Sequence, residues 1–285
     1  MPALQLSDSR TLTYEDYGDP NGWPVIFNHG FSDSRLIRNP DNNLTASLGV
    51  RIISADQPGV GGSSPLRGRR MVDWGKDMEE LADHLDVQTF SVIGHSGGAP
   101  HALSIANKLP DRVNKVVLAS PVGPLDYPGM TDLLRHPDIK LIAKLHRWPS
   151  LIRWLCRLSA YQANRNIKGF IQQNAKKDAS DAALFLRDPA LKKMFEESFL
   201  AGVAQKGEGL FEMIMALWHW GFDPSNIEAS VKIFYGDADD IIDTQMSKQL
   251  SSLLPNSATQ IWHQLGHYGF VNKYCWVDLL KSARN

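Results

Sequence analysis

The chain has little cysteine, no surplus of either charge and no long apolar run. Cys156 and Cys275 are the only cysteines in 285 residues. That excludes a disulfide framework and any cysteine-based metal spacing, and it fits reduced thiols inside a cell. Lys and Arg number 30 against 31 Asp and Glu, a formal net charge of −1. The basic excess of a nucleic-acid binder is therefore missing. No apolar run approaches the roughly 18 residues of a membrane-crossing helix, so stable membrane insertion is not expected. The opening Met-Pro-Ala-Leu-Gln lacks the charged, apolar and cleavage regions of a secretion signal, and a cytoplasmic location is expected. The chain does hold 43% hydrophobic and 21% charged residues, the balance of a packed globule rather than a disordered segment.

Short apolar runs recur between helix-like stretches. Residues 3–7 and 11–18 alternate apolar and polar around Asp8-Ser9-Arg10 and read as an edge hairpin. Further strands are expected at 24–27, 50–55, 89–93, 113–119, 231–235 and 259–262. Helices are expected at 71–85, 99–109 and 244–253 and at the C-terminus. In the first of these Trp74, Met78, Leu81, Ala82 and Leu85 share a face. Strands alternating with helices indicate a mostly parallel sheet covered on both faces. From 121 to 223 the alternation stops. Helical runs are expected there at 131–144, 150–158, 160–175, 180–185, 189–204 and 208–220. The chain thus divides into a core domain of 1–120 and 224–285 and a helical cap of 121–223, inserted over the sheet edge where open α/β sheets bind ligands.

Gly94-His95-Ser96-Gly97-Gly98 follows the apolar run Phe90–Ile93 and precedes a helix. A serine held on such a turn is pushed clear of the sheet, and small residues two before and two after let strand and helix approach. A serine hydroxyl is a weak nucleophile at neutral pH and needs a base, which needs an orienter. The best base is His267, in Leu265-Gly266-His267-Tyr268 after the last strand, with His263 in reserve. The best orienter is Asp239, in Gly236-Asp237-Ala238-Asp239, with Asp237, Asp240 and Asp243 as competitors. The amide of Gly97 at the helix start, and that of Phe31 after His29-Gly30, are placed to donate to an oxyanion. The run Gly59–Ser63 lacks the Gly-Lys-Ser/Thr ending of a phosphate loop and reads as a tight turn. No metal-ligand spacing is visible. Arg67, Arg69 and Arg70 read as a solvated loop ahead of a helix.

These motifs resemble the α/β-hydrolase superfamily, as a capped member with a serine nucleophile. His29-Gly30 resembles its oxyanion loop, and Asp56-Gln57-Pro58-Gly59-Val60-Gly61-Gly62-Ser63 its Asp-x-x-Gly-x-Gly-x-Ser loop. Gly236 to Asp239 resembles its Gly-x-x-Asp, and Gly266-His267 its Gly-His. The resemblance implies an eight-stranded, mostly parallel sheet flanked by helices, a Ser96–Asp239–His267 triad and no cofactor. It departs from one esterase branch by a single glycine in the oxyanion loop. It lacks the Trp after Ser of proline-releasing peptidases and the Asn before Ser of meta-cleavage hydrolases. Ser96 argues against the dehalogenases and epoxide hydrolases, which use Asp there.

The cap is rich in large apolar residues, from Phe185 to Trp220. Met215 and Trp218, with His29 and His95, are expected to line a substrate pocket above Ser96, for a small apolar partner. Residues 139–158 interleave Lys140, Lys144, Arg147, Arg153 and Arg157 with Leu and Trp. A cap helix pair hinged at Pro149 accounts for that pattern, although a basic amphipathic stretch can also lie on a membrane. The sequence leaves the oligomeric state open, with the helical cap as the contact surface expected of a homodimer. The leading expectation is an acyl-enzyme hydrolase of a small apolar ester or lactone. The alternatives are carbon–carbon bond hydrolysis or a lyase-like step on the same triad, and a ligand-binding or receptor protein on a hydrolase body.

Overall fold

Each expected apolar run forms a strand in the computed structural model, which describes residues 1–174 and 179–284. The strands are β1 (Ala3–Gln5), β2 (Thr11–Gly18), β3 (Trp23–Asn28), β4 (Val50–Ala55), β5 (Phe90–His95), β6 (Val113–Ala119), β7 (Ser230–Gly236) and β8 (Ser257–Trp262). They lie in the order β1-β2-β4-β3-β5-β6-β7-β8. The β1–β2 hairpin sets Ala3 opposite Thr13, and β2 runs antiparallel to β4; all later pairings are parallel. Central strands buried on both sides need apolar residues at every position. The pleat sends Ile26 and Val92 to one core and Val25, Phe27 and Ile93 to the other.

Eleven helices are seen among the described residues. Three precede β6: α1 (Asn42–Ser47), α2 (Trp74–His84) and α3 (Ala99–Lys108). Six lie between β6 and β7: α4 (Pro137–Leu145), α5 (Pro149–Arg165), α6 (Ile167–Asn174), α7 (Ala179–Arg187), α8 (Pro189–Gly202) and α9 (Glu208–Ala216). The last two are α10 (Thr244–Leu253) and α11 (Lys273–Arg284). Met78 and Leu81 of α2, Leu103 of α3 and Leu250 of α10 pack in the first core. Trp276, Leu279 and Leu280 of α11 pack in the second.

Several boundaries differ from expectation, each for a local reason. The run 131–144 yields one 3-10 turn, Met130–Leu133, before α4, because Pro137 at the first helical position fixes where the helix starts. No break falls near Ser159. Ile152, Cys156, Ala160 and Ala163 keep one buried face going, and no Gly or Pro interrupts them. The break comes at Asn166, whose side chain accepts from the Gly169 amide at 2.9 Å and so opens α6. The expected end of that helix at Ala175 lies outside the described residues. Helix α9 stops at Ala216, and the carbonyls of His219 and Trp220 instead accept from the Met71 and Val72 amides. Helix α1 went unanticipated; Asp41 caps it by accepting from the Leu44 amide at 3.0 Å.

The helices between β6 and β7 sit on loops that leave the C-terminal ends of the strands. The Ser34 amide donates to Ser198 Oγ at 3.0 Å, and the Gly61 amide to the Ala201 carbonyl at 2.9 Å. Gln205 Nε2 reaches the Ser63 carbonyl at 2.8 Å, and the Gly68 amide reaches Glu212 at 2.8 Å.

Candidate active site

Ser96 sits where β5 turns into α3, with a left-handed φ of +52°. Such a φ is costly for a non-glycine residue and survives only where the surroundings enforce it. Here the crowding is measurable. A Cβ on Gly94 would lie 2.6 Å from the Gly98 carbonyl oxygen, and one on Gly98 would lie 2.2 Å from the Asn28 carbonyl oxygen. Both glycines are therefore required by close approach. A Cβ on Gly30 would lie 2.9 Å from Ser96 Cβ, so the loop after β3 passes directly beside the serine. The Phe31 ring covers Gly97, 3.3 Å from where its Cβ would be. The loop carrying Phe31 and the helix start at Gly97 thus lie next to Ser96.

His267 and Asp239 meet at the same edge. His267 Nδ1 donates to Asp239 Oδ2 at 2.8 Å, and both residues are buried. Asp239 Oδ1 is held by the amides of Ile241 and Ile242 at 2.8 and 2.9 Å. That fixes the carboxylate and, through it, the Nδ1 side of the His267 ring. The competitors go elsewhere. Asp237 pairs with the exposed His263 at 2.8 Å, so the reserve base has its own surface partner. Asp243 caps α10 and bonds Arg135.

His29 and His95, expected on a pocket wall, are instead wholly buried in the scaffold. His95 Nε2 donates to the His267 carbonyl at 3.1 Å, bracing the loop that carries His267. Burial and the neighbouring His267 hold the His95 pKa well below the usual histidine value. Its Nδ1 has no hydrogen-bond partner and lies 3.8 Å from Asp33 Oδ2. Burial pushes the Asp33 carboxyl up to about 8, although the Tyr268 hydroxyl donates to it at 3.2 Å. A neutral imidazole facing a protonated carboxyl avoids an uncompensated charge. Asp33 was not legible as a site residue. Asp181 of α7 was not either: both its oxygens accept from the Tyr268 amide at 3.0 Å, tying that helix to the base loop.

Arg67 and Arg70 are exposed as expected, but Arg69 between them is buried, not solvated. It donates to His101 Nε2 at 2.9 Å, and His101 Nδ1 then donates to the Gly97 carbonyl at 2.9 Å. A second arm runs from Arg69 to Gln57 Oε1 at 3.4 Å and from Gln57 Nε2 to the His29 carbonyl at 2.8 Å. The Gln57 amide donates to His29 Nε2, so His29 Nδ1 carries the proton given to the Gly30 carbonyl. One buried cation therefore braces both walls around Ser96 and sets the His101 tautomer, while the Gln57 backbone amide sets that of His29. Burial drives both histidines down, His29 to about 4, so both are neutral at pH 7. Arg69 has no carboxylate within ion-pair distance among the described residues.

Of the other residues expected on the pocket wall, Trp218 stacks on His146 with ring centroids 4.8 Å apart. Met215 lines a cavity of about 300 Å³ with Phe211, Pro149, Arg69, Arg153 and Glu212. Among the described residues no group of three His, Cys, Asp or Glu could hold a metal ion.

The family model of the alpha/beta hydrolase fold matches residues 24–274. The chain belongs to the α/β-hydrolase family. Among curated relatives it is 36% identical over 127 residues to a non-heme chloroperoxidase of Streptomyces lividans, covering 44% of this chain and 46% of that protein. The chain therefore spans about half the length of that relative. It is 25% identical over 226 residues to a 2-hydroxy-6-oxononadienedioate/2-hydroxy-6-oxononatrienedioate hydrolase of Cupriavidus pinatubonensis, 78% of this chain and 71% of that one. Among solved structures, an enol-lactonase from Burkholderia xenovorans superposes with TM-score 0.71 at 16% identity, covering 98% and 100% of the two chains. A thermophilic esterase from Thermogutta terrifontis gives 0.68 at 18%, covering 100% and 99%. At such identities the likeness speaks for the fold.

Proposed function

We propose that the protein is a serine hydrolase that cleaves a small apolar carboxylic ester or lactone through an acyl-enzyme. The observation that carries this reading is the buried 2.8 Å His267–Asp239 pair at the sheet edge where Ser96 holds its left-handed turn. Ser96 Oγ attacks the carbonyl carbon while His267 Nε2 takes its proton. Asp239 stabilises the imidazolium that forms. The amides of Phe31 and Gly97 receive the negative charge on the former carbonyl oxygen. His267 then protonates the leaving alkoxide. Water, deprotonated by the same nitrogen, releases the acid and restores Ser96. The esterase and lactonase among the structural neighbours support the choice of substrate. No cofactor enters this chemistry.

A second reading keeps the triad and changes the bond. It is favoured by the Cupriavidus relative, which matches most of this chain. Parallel assays on short-chain aryl esters, lactones and 2-hydroxy-6-oxo-dienoates separate the two. Ester or lactone turnover that falls by several orders of magnitude in Ser96→Ala supports the first reading. Turnover confined to the oxo-dienoates selects the second. Ester turnover unchanged in Ser96→Ala rules out the mechanism.

A further inference from the structure

The outer face of the cap is built in a way that catalysis at Ser96 does not use. Trp148, Trp154 and Tyr161 are 62%, 57% and 59% exposed, values far from the usual burial of aromatics. Leu141, Leu151 and Leu158 are exposed with them. On α5, Leu151, Trp154, Leu158 and Tyr161 recur at steps of three and four. Ile152, Cys156, Ala160 and Ala163 take the opposite, buried side. The helix is apolar on both sides, and only one side meets the protein.

The charge around this stripe is equally one-sided. Residues 139–168 contain seven Lys and Arg and no Asp or Glu, although the whole chain is net −1. The rest of the chain is therefore net acidic. Arg153 and Arg157 are answered by Glu208 and Glu212 of α9. Lys140, Lys144, Arg147 and Lys168 are exposed and pair with no carboxylate among the described residues.

We propose that the α4–α5 face docks on an anionic phospholipid surface, with Trp148, Trp154 and Tyr161 at the headgroup boundary and the lysines and arginines against lipid phosphates. Exposed apolar patches rimmed by polar groups mark interaction sites. An amphipathic helix with aromatics on one side and Lys and Arg beside them lies in the plane of a bilayer without crossing it. Among the described residues no helix is long and apolar enough to cross. Charge decides against a second copy as the occupant. A two-fold pairing through this face would set one cationic patch against its twin. The inference goes beyond the hydrolytic reading and does not depend on it.

The test is co-sedimentation of the whole protein with phosphatidylcholine vesicles, with and without phosphatidylglycerol, at low and high salt. Binding is expected only with phosphatidylglycerol, and it should weaken as salt rises. Trp148→Ser with Trp154→Ser should lower the partition coefficient about tenfold. Each of Lys140→Gln, Lys144→Gln and Arg147→Gln should lower it about fivefold. All five side chains are exposed, and unchanged circular dichroism would show that the variants fold. Protein left in the supernatant at low salt overturns the proposal, as does binding that all these variants leave untouched. A dimer in sedimentation velocity that the double Trp variant dissociates would assign the face to a second copy and also overturn it.

Discussion

Asp33 shows how one buried side chain can shape stability across a pH range. Its carboxyl is pushed from the ordinary 3.8 up to about 8 by burial. Between those values the folded protein holds a proton that the unfolded chain has released, so stability falls as pH rises through the window. Asp33→Asn keeps an acceptor for the Tyr268 hydroxyl and removes the titration. Melting curves of the two proteins should separate at pH 8, with the variant more stable, and converge as pH falls toward 4. A constant gap, or one that widens toward acid, would contradict the burial account. Arg69 makes a second prediction at this scale. Arg69→Met cuts both arms behind the walls flanking Ser96 while leaving Ser96 and His267 in place. We expect kcat to fall about tenfold with KM little changed, because the hydrogen-bonded braces behind both walls are lost. A rise in KM at constant kcat would place Arg69 in ground-state binding instead. Neither residue could be found by pattern. Asp33 carries no motif, and Arg69 stands in a run that resembles any solvated basic loop until its burial is seen.

The strand–turn–helix element at Ser96 was legible because its small residues stand at fixed spacing around the serine. Gly94 is demanded by backbone contacts within a few residues, and Gly98 by the Asn28 and His29 carbonyls of the neighbouring strand end. Gly98→Ala tests this. The added methyl would press on the Asn28 carbonyl oxygen, 2.2 Å away, so β3 or α3 must shift. A loss of about 3 kcal/mol of stability, or of soluble protein, is expected, and urea unfolding measures it. A variant as stable as the parent would mean the element is looser than its geometry states. The helices between β6 and β7 were legible in kind but not in extent. Pro137 and Asn166 moved boundaries through capping, whereas the continuity of α5 rests on tertiary burial of Cys156 and Ala160, which no local signal reports.

At the scale of the whole molecule, the order of apolar runs specified the sheet because buried parallel strands need uninterrupted apolar stretches. The sequence order Ser96, Asp239, His267 likewise pointed to one edge of that sheet. Pocket residues were not legible in this way. His29 and His95 look available in the sequence and prove to be scaffold, since only packing decides which face a side chain meets. The central claim is that three residues far apart in the chain act as one activated nucleophile. Labelling with a fluorophosphonate probe, followed by peptide mass spectrometry, tests it most directly in the parent and in His267→Ala. The account predicts an adduct on Ser96 in the parent that His267→Ala abolishes. No adduct in the parent, or one that persists undiminished without His267, would contradict it.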